Sequence, residues 1–126
     1  MLIDTHCHLN DEKLLCDVDR IVDDFAKDNL ESAICVGYDM PSSELAVTLA
    51  NKYGKVYAAV GVHPNETAEL TDADMKWLES LAENPKVVAI GEIGLDYYWD
   101  EPEREIQKHW FSAQLEVAKK TGLPVI

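Results

Sequence analysis

The sequence predicts an α/β protein with a parallel sheet, because short apolar segments alternate with longer amphipathic ones along its 126 residues. The short segments are rich in β-branched residues and lie at 2–4, 33–37, 56–62, 87–90 and 123–126, which is typical of buried strands. Strands separated by crossover helices are parallel, and the connections are right-handed. Two architectures fit this order: an open doubly wound sheet, or the first half of an eight-stranded (β/α)8 TIM barrel.

The segment after the first strand has the pattern of a single amphipathic helix. Its apolar residues fall on one stripe, whereas five aspartates lie mostly around the solvent side. The stripe consists of Leu14, Leu15, Val18, Ile21, Val22, Phe25 and Ala26.

Three further helices are predicted from their end signals. The second begins after Pro41 with Ser42 or Ser43 as its cap, and the third begins at Thr71. The last begins near Pro102 and ends at a Gly-Leu-Pro sequence, which cannot continue a helix. The predicted inward-facing residues are Leu45, Ala46, Leu49 and Ala50 in the second helix, Trp77, Leu78 and Leu81 in the third, and Ile106, Trp110, Phe111, Leu115 and Ala118 in the last.

Charge and composition argue against several classes of protein. The chain has 11 Lys+Arg against 24 Asp+Glu, a net charge of −13, which opposes sequence-independent binding to nucleic-acid phosphates. Cys7, Cys16 and Cys35 are an odd number in apolar segments, which favours reduced thiols and a cytoplasmic location. The first residues lack the pattern of a signal peptide, and no apolar run approaches the length that spans a membrane.

Candidate metal ligands follow the first and fourth predicted strands. His6 and His8 are two residues apart at the end of the first strand, so both imidazoles lie on one face. Asp4 shares that face one step deeper, where a carboxylate could orient a ligating imidazole or occupy the floor of a barrel. Glu92 follows the fourth strand, at the edge where α/β folds build their sites. Each signal is weak alone, and their corresponding positions make a shared metal site more specific.

Three longer motifs identify a family that the sequence resembles. They are IDTHCHL at 3–9, GVHP at 61–64 and GEIGLDYY at 91–98, and the helix entry at 99–107 continues the similarity. Together they resemble the TatD-related deoxyribonucleases, and the resemblance covers the entire chain in order. Several long motifs at family spacing are far more specific than any one of them.

The resemblance implies a metal-dependent hydrolase on a TIM barrel, related to the amidohydrolases, that cleaves DNA phosphodiester bonds, with exonuclease-type action. It implies that His6 and His8 bind one cation, and that Glu92 bridges the metal centre and helps to activate water. The cofactors would be two divalent ions per complete site, Mg, Mn or Zn. His63 and Asp96 are expected to line the substrate site.

The loop residues also have structural explanations. His63 could simply pack at a strand end, and Asp96 could cap backbone amides. Tyr97, Tyr98 and Trp99 could stack on a nucleobase or pack over the barrel rim.

Length limits the expected activity. A complete (β/α)8 barrel needs about 250 residues, so residues 1–126 are interpreted as one domain of four βα units and the start of a fifth strand. The resemblance places further ligands, two histidines and an aspartate, on the fifth, sixth and eighth strands. We therefore expect the 126-residue chain alone to be inactive and, because its sheet has open edges, to form a homo-oligomer.

Two other functions fit the same residues. The chain could be a non-catalytic half-barrel that binds metal weakly and self-associates. It could also belong to an amidohydrolase-type enzyme that acts on a small amide, lactone or phosphoester. The charge of −13 keeps this last alternative open, because it gives a DNA substrate no electrostatic attraction.

Overall fold

A computed structural model describes residues 1–126 and contains four parallel strands and five helices. The strands are β1 (Leu2–Cys7), β2 (Leu30–Val36), β3 (Val56–Val60) and β4 (Val87–Ile90). The helices are α1 (Glu12–Leu15), α2 (Val18–Asp24), α3 (Met40–Lys52), α4 (Asp72–Ala82) and α5 (Arg104–Thr121), with a 3-10 turn at Pro64–Glu66.

The order of the strands decides between the two predicted architectures. The sheet runs β1-β2-β3-β4 without a reversal, whereas a doubly wound sheet changes direction at a switch point. The larger core joins residues of α2 to α5 to one face of the sheet, as Ala46 and Leu78 pack in one cluster with Cys35 and Val60. The smaller cluster on the other face contains Val36, Ala59 and Ala89 with Ile34 and Ile126. Helices on one face of a sequentially ordered parallel sheet are the arrangement of a partial (β/α)8 barrel.

The predicted fifth strand is present as its first contact with β4. Val125 forms a parallel bridge with Ile90. The N–H of Ile90 donates to the carbonyl of Pro124 at 2.9 Å, and the N–H of Ile126 donates to the carbonyl of Ile90 at 3.0 Å. The end of the chain therefore continues the same strand order beyond β4.

The first predicted helix is wrong, because the structure divides it into α1 and α2. The Asp11 carboxylate caps α1 by accepting the N–H of Lys13 at 2.8 Å, and a second helix starts after Asp17. Aspartate competes for backbone hydrogen bonds and favours helix starts over helix interiors, a signal that the apolar stripe conceals. Leu14 and Leu15 remain 37% and 39% exposed, and Ala26 is exposed as well.

The start of α3 also differs from the prediction. The cap is Asp39, whose carboxylate accepts the N–H of Ser42 at 2.8 Å, while the Ser42 hydroxyl accepts the N–H of Asp39 at 3.0 Å. This reciprocal capping box places Pro41 inside the first turn, where its missing N–H costs nothing. The start of α4 after Thr71 agrees with the prediction.

The face that α5 buries is rotated from the predicted stripe. The helix begins at Arg104 rather than near Pro102, and Ile106 and Leu115 are 36% and 38% exposed. Gln107 and Gln114 are instead 0% and 1% exposed. The prediction ranked positions by hydrophobicity, whereas this helix turns two amides inward to bind loop backbone.

The state of the three cysteines bears on the prediction of reduced thiols. All three cysteines are free, and burial raises the pKa of Cys7 to about 12 and that of Cys35 to about 11. Cys16, by contrast, is exposed.

No helix combines the length and the apolar character needed for a membrane crossing. β1 lies at the edge of the sheet with Leu2 61% and Ile3 58% exposed, and self-association through such an edge stays a prediction.

A close backbone approach at the end of β3 predicts a stability effect. A Cβ added to Gly61 would lie 2.7 Å from the carbonyl carbon and 2.9 Å from the carbonyl oxygen of Gly91. We expect Gly61→Ala to lower the free energy of unfolding by about 1–3 kcal/mol, because backbone atoms must move to admit the methyl group. Urea unfolding followed by circular dichroism measures this change.

Gly54→Ala is the matched control, because a Cβ at Gly54 meets no atom within 4 Å. We expect its free energy of unfolding to stay within about 0.5 kcal/mol of the original value or to rise. Equal effects of the two substitutions would show that the approach of Gly61 to Gly91 is not tight.

Candidate metal centre

The candidate site lies at the carboxyl edge of the sheet, where the ends of the strands converge. His6 is the next-to-last residue of β1, and His8 directly follows that strand. His63 lies three residues beyond β3, and Glu92 lies two residues beyond β4. Parallel strands present these ends side by side, so residues far apart in sequence meet at one edge.

The Glu92 carboxylate lies among three imidazoles. Its Oε2 is 3.3 Å from Nε2 of His6 and 3.7 Å from Nε2 of His8. Its Oε1 is 3.8 Å from Nε2 of His63. The four side chains are 27% to 41% exposed, so the group is partly desolvated and still open to solvent.

Backbone hydrogen bonds between strand ends hold this geometry. The N–H of Glu92 donates to the carbonyl of Gly37 at 2.7 Å, and the N–H of His63 donates to the carbonyl of Tyr38 at 2.7 Å. The N–H of Gly91 donates to the carbonyl of Val60 at 2.9 Å. The loops after β2, β3 and β4 are therefore tied together around the carboxylate.

The hydrogen bond of His8 fixes its tautomer. Nδ1 lies 2.9 Å from the carbonyl oxygen of Val36, which only accepts, so Nδ1 carries the proton. In the neutral ring the lone pair is then on Nε2, the atom that faces Glu92. The same carbonyl accepts the side-chain amide of Asn10 at 3.0 Å. His8 is oriented as a metal ligand whose second nitrogen is held by backbone, a common arrangement in metal sites.

His63 has the opposite tautomer. Its Nδ1 accepts the backbone N–H of Asn65 at 3.1 Å, so in the neutral ring Nε2 carries the proton. That N–H faces Oε1 of Glu92. In this orientation His63 is a hydrogen-bond donor toward the site and not a ligand.

The donor set fits a divalent cation. The ligand atoms of His6, His8 and Glu92, together called the ligand cluster below, all lie within 4.8 Å of one another. Ligands at about 2.1 Å from a tetrahedral cation are about 3.4 Å apart, which agrees with the 3.3 and 3.7 Å separations. Two imidazoles and a carboxylate suit Zn or Mn, and leave positions for water or substrate.

Asp4 supports the backbone of β1 instead of an imidazole. Its carboxylate accepts the backbone N–H of His6 at 3.0 Å, where the pairing of β1 with β2 is irregular between Asp4 and Cys7. The predicted contact with a ligating ring is not formed. Asp4 therefore shapes the strand segment that carries His6.

Asp96 takes a structural position beside the site. Its Oδ1 accepts the N–H of Tyr98 at 3.0 Å, and its Oδ2 accepts the side-chain amide of Asn65 at 3.1 Å. These bonds match the capping explanation considered from the sequence, and they link the loop after β4 to the loop after β3.

Two buried glutamines of α5 position both loops, and the sequence analysis assigned them no role. Gln114 accepts the N–H of Val62 at 2.8 Å and donates to the carbonyl of Val62 at 3.1 Å. Gln107 accepts the N–H of Asp96 at 2.9 Å and donates to the carbonyls of Asp96 and Pro102, both at 2.9 Å. The sequence pattern that could have indicated this role is the spacing of the two glutamines, because residues seven apart share one face of a helix.

The ligand cluster opens into a hollow of about 360 Å³. Its polar lining mixes donors, acceptors and one aromatic ring, and the T-shaped packing of Tyr38 on His8 has a centroid distance of 5.8 Å. The lining residues are His8, Asp11, Tyr38, His63, Asn65, Glu66 and Glu92.

Comparison with known families gives a match over almost the whole chain. The family described as TatD related DNase matches residues 3–126. The residues of the ligand cluster all lie within the matched range.

Individual relatives agree with this match. The uncharacterized metal-dependent hydrolase YabD of Bacillus subtilis is 40% identical over 126 residues, which are 100% of this chain and 49% of YabD. The 3'-5' ssDNA/RNA exonuclease TatD of Enterobacter lignolyticus is 32% identical over 124 residues, covering 98% of this chain and 48% of that protein. The crystal structure of YJJV, a TatD homolog from Escherichia coli K12, superposes with a TM-score of 0.89 and 33% identity, covering 98% of this chain and 49% of that one. The chain thus spans about half the length of the curated relatives it matches.

Proposed function

Because this chain belongs to the TatD related DNase family of metal-dependent hydrolases, we propose that it contributes metal ligands to a hydrolase of nucleic-acid phosphodiester bonds. The substrate is single-stranded DNA, cleaved from a free end. The observation that carries this proposal is the ligand cluster, in which two imidazoles and one carboxylate converge from β1 and the end of β4.

Each residue has a defined task in this proposal. His6 and His8 would hold a divalent cation through Nε2, and Glu92 would hold it through Oε2. A bound divalent cation would contact a phosphate oxygen and lower the pKa of the attacking water. His63 would donate a hydrogen bond from its Nε2–H to a phosphate oxygen, since its Nδ1 already accepts the N–H of Asn65.

The second oxygen of Glu92 suits a bridging role. Oε2 faces the two ligand histidines, while Oε1 faces the proton of His63 and the hollow. We propose that Oε1 serves a second cation in the complete site, as the family resemblance implies, with Mg, Mn or Zn as candidates. Two cations would offset the surrounding carboxylates and the net charge of −13, which otherwise repel a phosphate.

The nuclease assignment follows a relative that is named 3'-5' ssDNA/RNA exonuclease. The side chains of the ligand cluster are partly exposed, which is compatible with a strand that enters from one end. Free thiols support a cytoplasmic location for the protein.

The test separates metal binding from turnover. Titration calorimetry with Mn²⁺ measures binding by the chain, and strands labelled at the 5' or 3' end measure hydrolysis with Mg²⁺ or Mn²⁺ and after chelation. We expect stoichiometric binding that His6→Ala abolishes, and metal-dependent release of the 3' label by the protein that contains the complete site. A chain that binds no cation would overturn the metal site.

Two other outcomes identify the alternative functions. Metal binding with no hydrolysis by a protein of full barrel length would support a non-catalytic module. Metal-dependent hydrolysis of a small amide, lactone or phosphoester, without release of nucleotides, would support an amidohydrolase-type reaction.

A further inference from the structure

Two large aromatic side chains lie exposed beside the metal centre. Tyr98 is 82% exposed and Trp99 is 68% exposed, and their rings pack edge to face with centroids 4.8 Å apart. Aromatic side chains are the main carriers of contact energy at binding surfaces. Their exposure in the loop that follows Glu92 therefore points to a ligand.

The loop that carries this pair is fixed at both of its ends. The N–H of Tyr98 is bound by the Asp96 carboxylate at 3.0 Å, and the Asp96 backbone is bound on both sides by buried Gln107. Gln107 also donates to the carbonyl of Pro102 at 2.9 Å, on the far side of Trp99. The exposed rings thus sit on an anchored backbone, which reduces the entropy lost when a ligand binds.

A second hollow is lined by Trp99 and shares one lining residue with the hollow of the ligand cluster. Its volume is about 290 Å³, and it is lined by Asn65, Trp99 and Glu101. Asn65 also lines the hollow of the ligand cluster, so the two spaces share a wall.

The chemistry of this second hollow selects the kind of group that enters. The Glu101 carboxylate is an acceptor, so it repels a phosphate and attracts N–H donors. Trp99 offers an aromatic face. A nucleobase combines a flat aromatic surface with amino or imino donors, and it is joined to a phosphate by one sugar.

We propose that Trp99 forms a stacking subsite for a nucleobase of the strand whose phosphate lies at the ligand cluster, with Glu101 accepting a hydrogen bond from its amino edge. This inference rests on the proposed function. The protein would prefer strands that carry a base at this position, above all a base with an amino group, such as cytosine.

Stacking of a base on an aromatic side chain contributes about 1–3 kcal/mol. Removal of the Trp99 ring is therefore expected to weaken binding of a base-bearing strand about tenfold. A strand that has the same phosphates and no bases should bind Trp99→Ala as well as it binds the original protein.

The experiment compares equilibrium binding of labelled oligodeoxycytidylate and an abasic strand of equal length by fluorescence anisotropy in Mg²⁺. We expect Trp99→Ala to lose about tenfold in affinity for the first strand only, and Trp99→Phe to restore most of that loss. Trp77→Phe is the control, because Trp77 lines a different groove with Met40 and Ala73.

The outcomes distinguish this subsite from the nuclease proposal. If the original protein binds both strands with equal affinity, the phosphate site survives and the base subsite is overturned. An equal loss for both strands on Trp99→Ala, or no loss for either, also overturns the subsite. If the original protein binds neither strand, the subsite and the nucleic-acid substrate both fail.

Discussion

Glu92→Gln is expected to lower the affinity of the chain for a divalent cation at least about 100-fold. The carboxylate supplies the only negative charge of the ligand cluster, and its Oε2 lies 3.3 and 3.7 Å from the two ligand imidazoles. An amide of nearly the same shape loses that charge and places a weaker donor or an N–H toward the cation. Titration calorimetry with Mn²⁺ at neutral pH measures the change.

Glu66→Gln is the matched control for the loss of one carboxylate. Glu66 lines the same hollow and is not a member of the ligand cluster. We expect its cation affinity to change less than about threefold, as for a charge that acts only through solvent. Equal losses in the two variants would mean that cation binding reflects the general acidity of the hollow. Unfolding in urea checks that both variants keep the fold.

The strands and the position of the site follow well from the sequence. Apolar runs of four to seven residues predicted β2, β3 and β4. Val125, which forms a bridge with Ile90, lies in the fifth predicted run. Parallel pairing then places every strand end on one edge. That reasoning alone suggested that residues 6, 8 and 92 meet, and the structure brings these side chains together.

The helices were less predictable, because hydrophobicity alone does not show what a buried face binds. In α5 the inward positions include Gln107 and Gln114, which satisfy loop backbone groups that no other residue reaches. A pattern search that scores apolar residues treats both as surface positions. Asp11 and Asp39 similarly cap helix starts that the apolar stripe does not reveal.

The roles of the site residues depend on hydrogen bonds that no spacing rule contains. His8 and His63 are both histidines at strand ends, and the sequence cannot tell a ligand from a donor. Nδ1 of His8 donates to the Val36 carbonyl, so the Nε2 lone pair of His8 is free for a cation. Nδ1 of His63 accepts the N–H of Asn65, so Nε2 of the neutral His63 ring carries the proton. Tertiary contacts thus assign different tasks to the same side chain.

Gln114→Leu is expected to lower the free energy of unfolding by about 2–4 kcal/mol. The leucine fills a similar volume and leaves both the N–H and the carbonyl of Val62 without their partner. Val62 is 1% exposed, so water does not replace these bonds. Because the ligand cluster is carried by β1 and the end of β4, we expect cation affinity to fall less than about tenfold.

Ser112→Leu is the control on the same helix, because Ser112 is exposed and its side chain forms no hydrogen bond to the loops. We expect its free energy of unfolding to stay within about 0.5 kcal/mol of the original value. Urea unfolding of both variants, followed by calorimetry with Mn²⁺, separates stability from binding. If Gln114→Leu were as stable as the control, Val62 would have found other partners, and α5 would then support the loop after β3 by packing and not by this pair of hydrogen bonds.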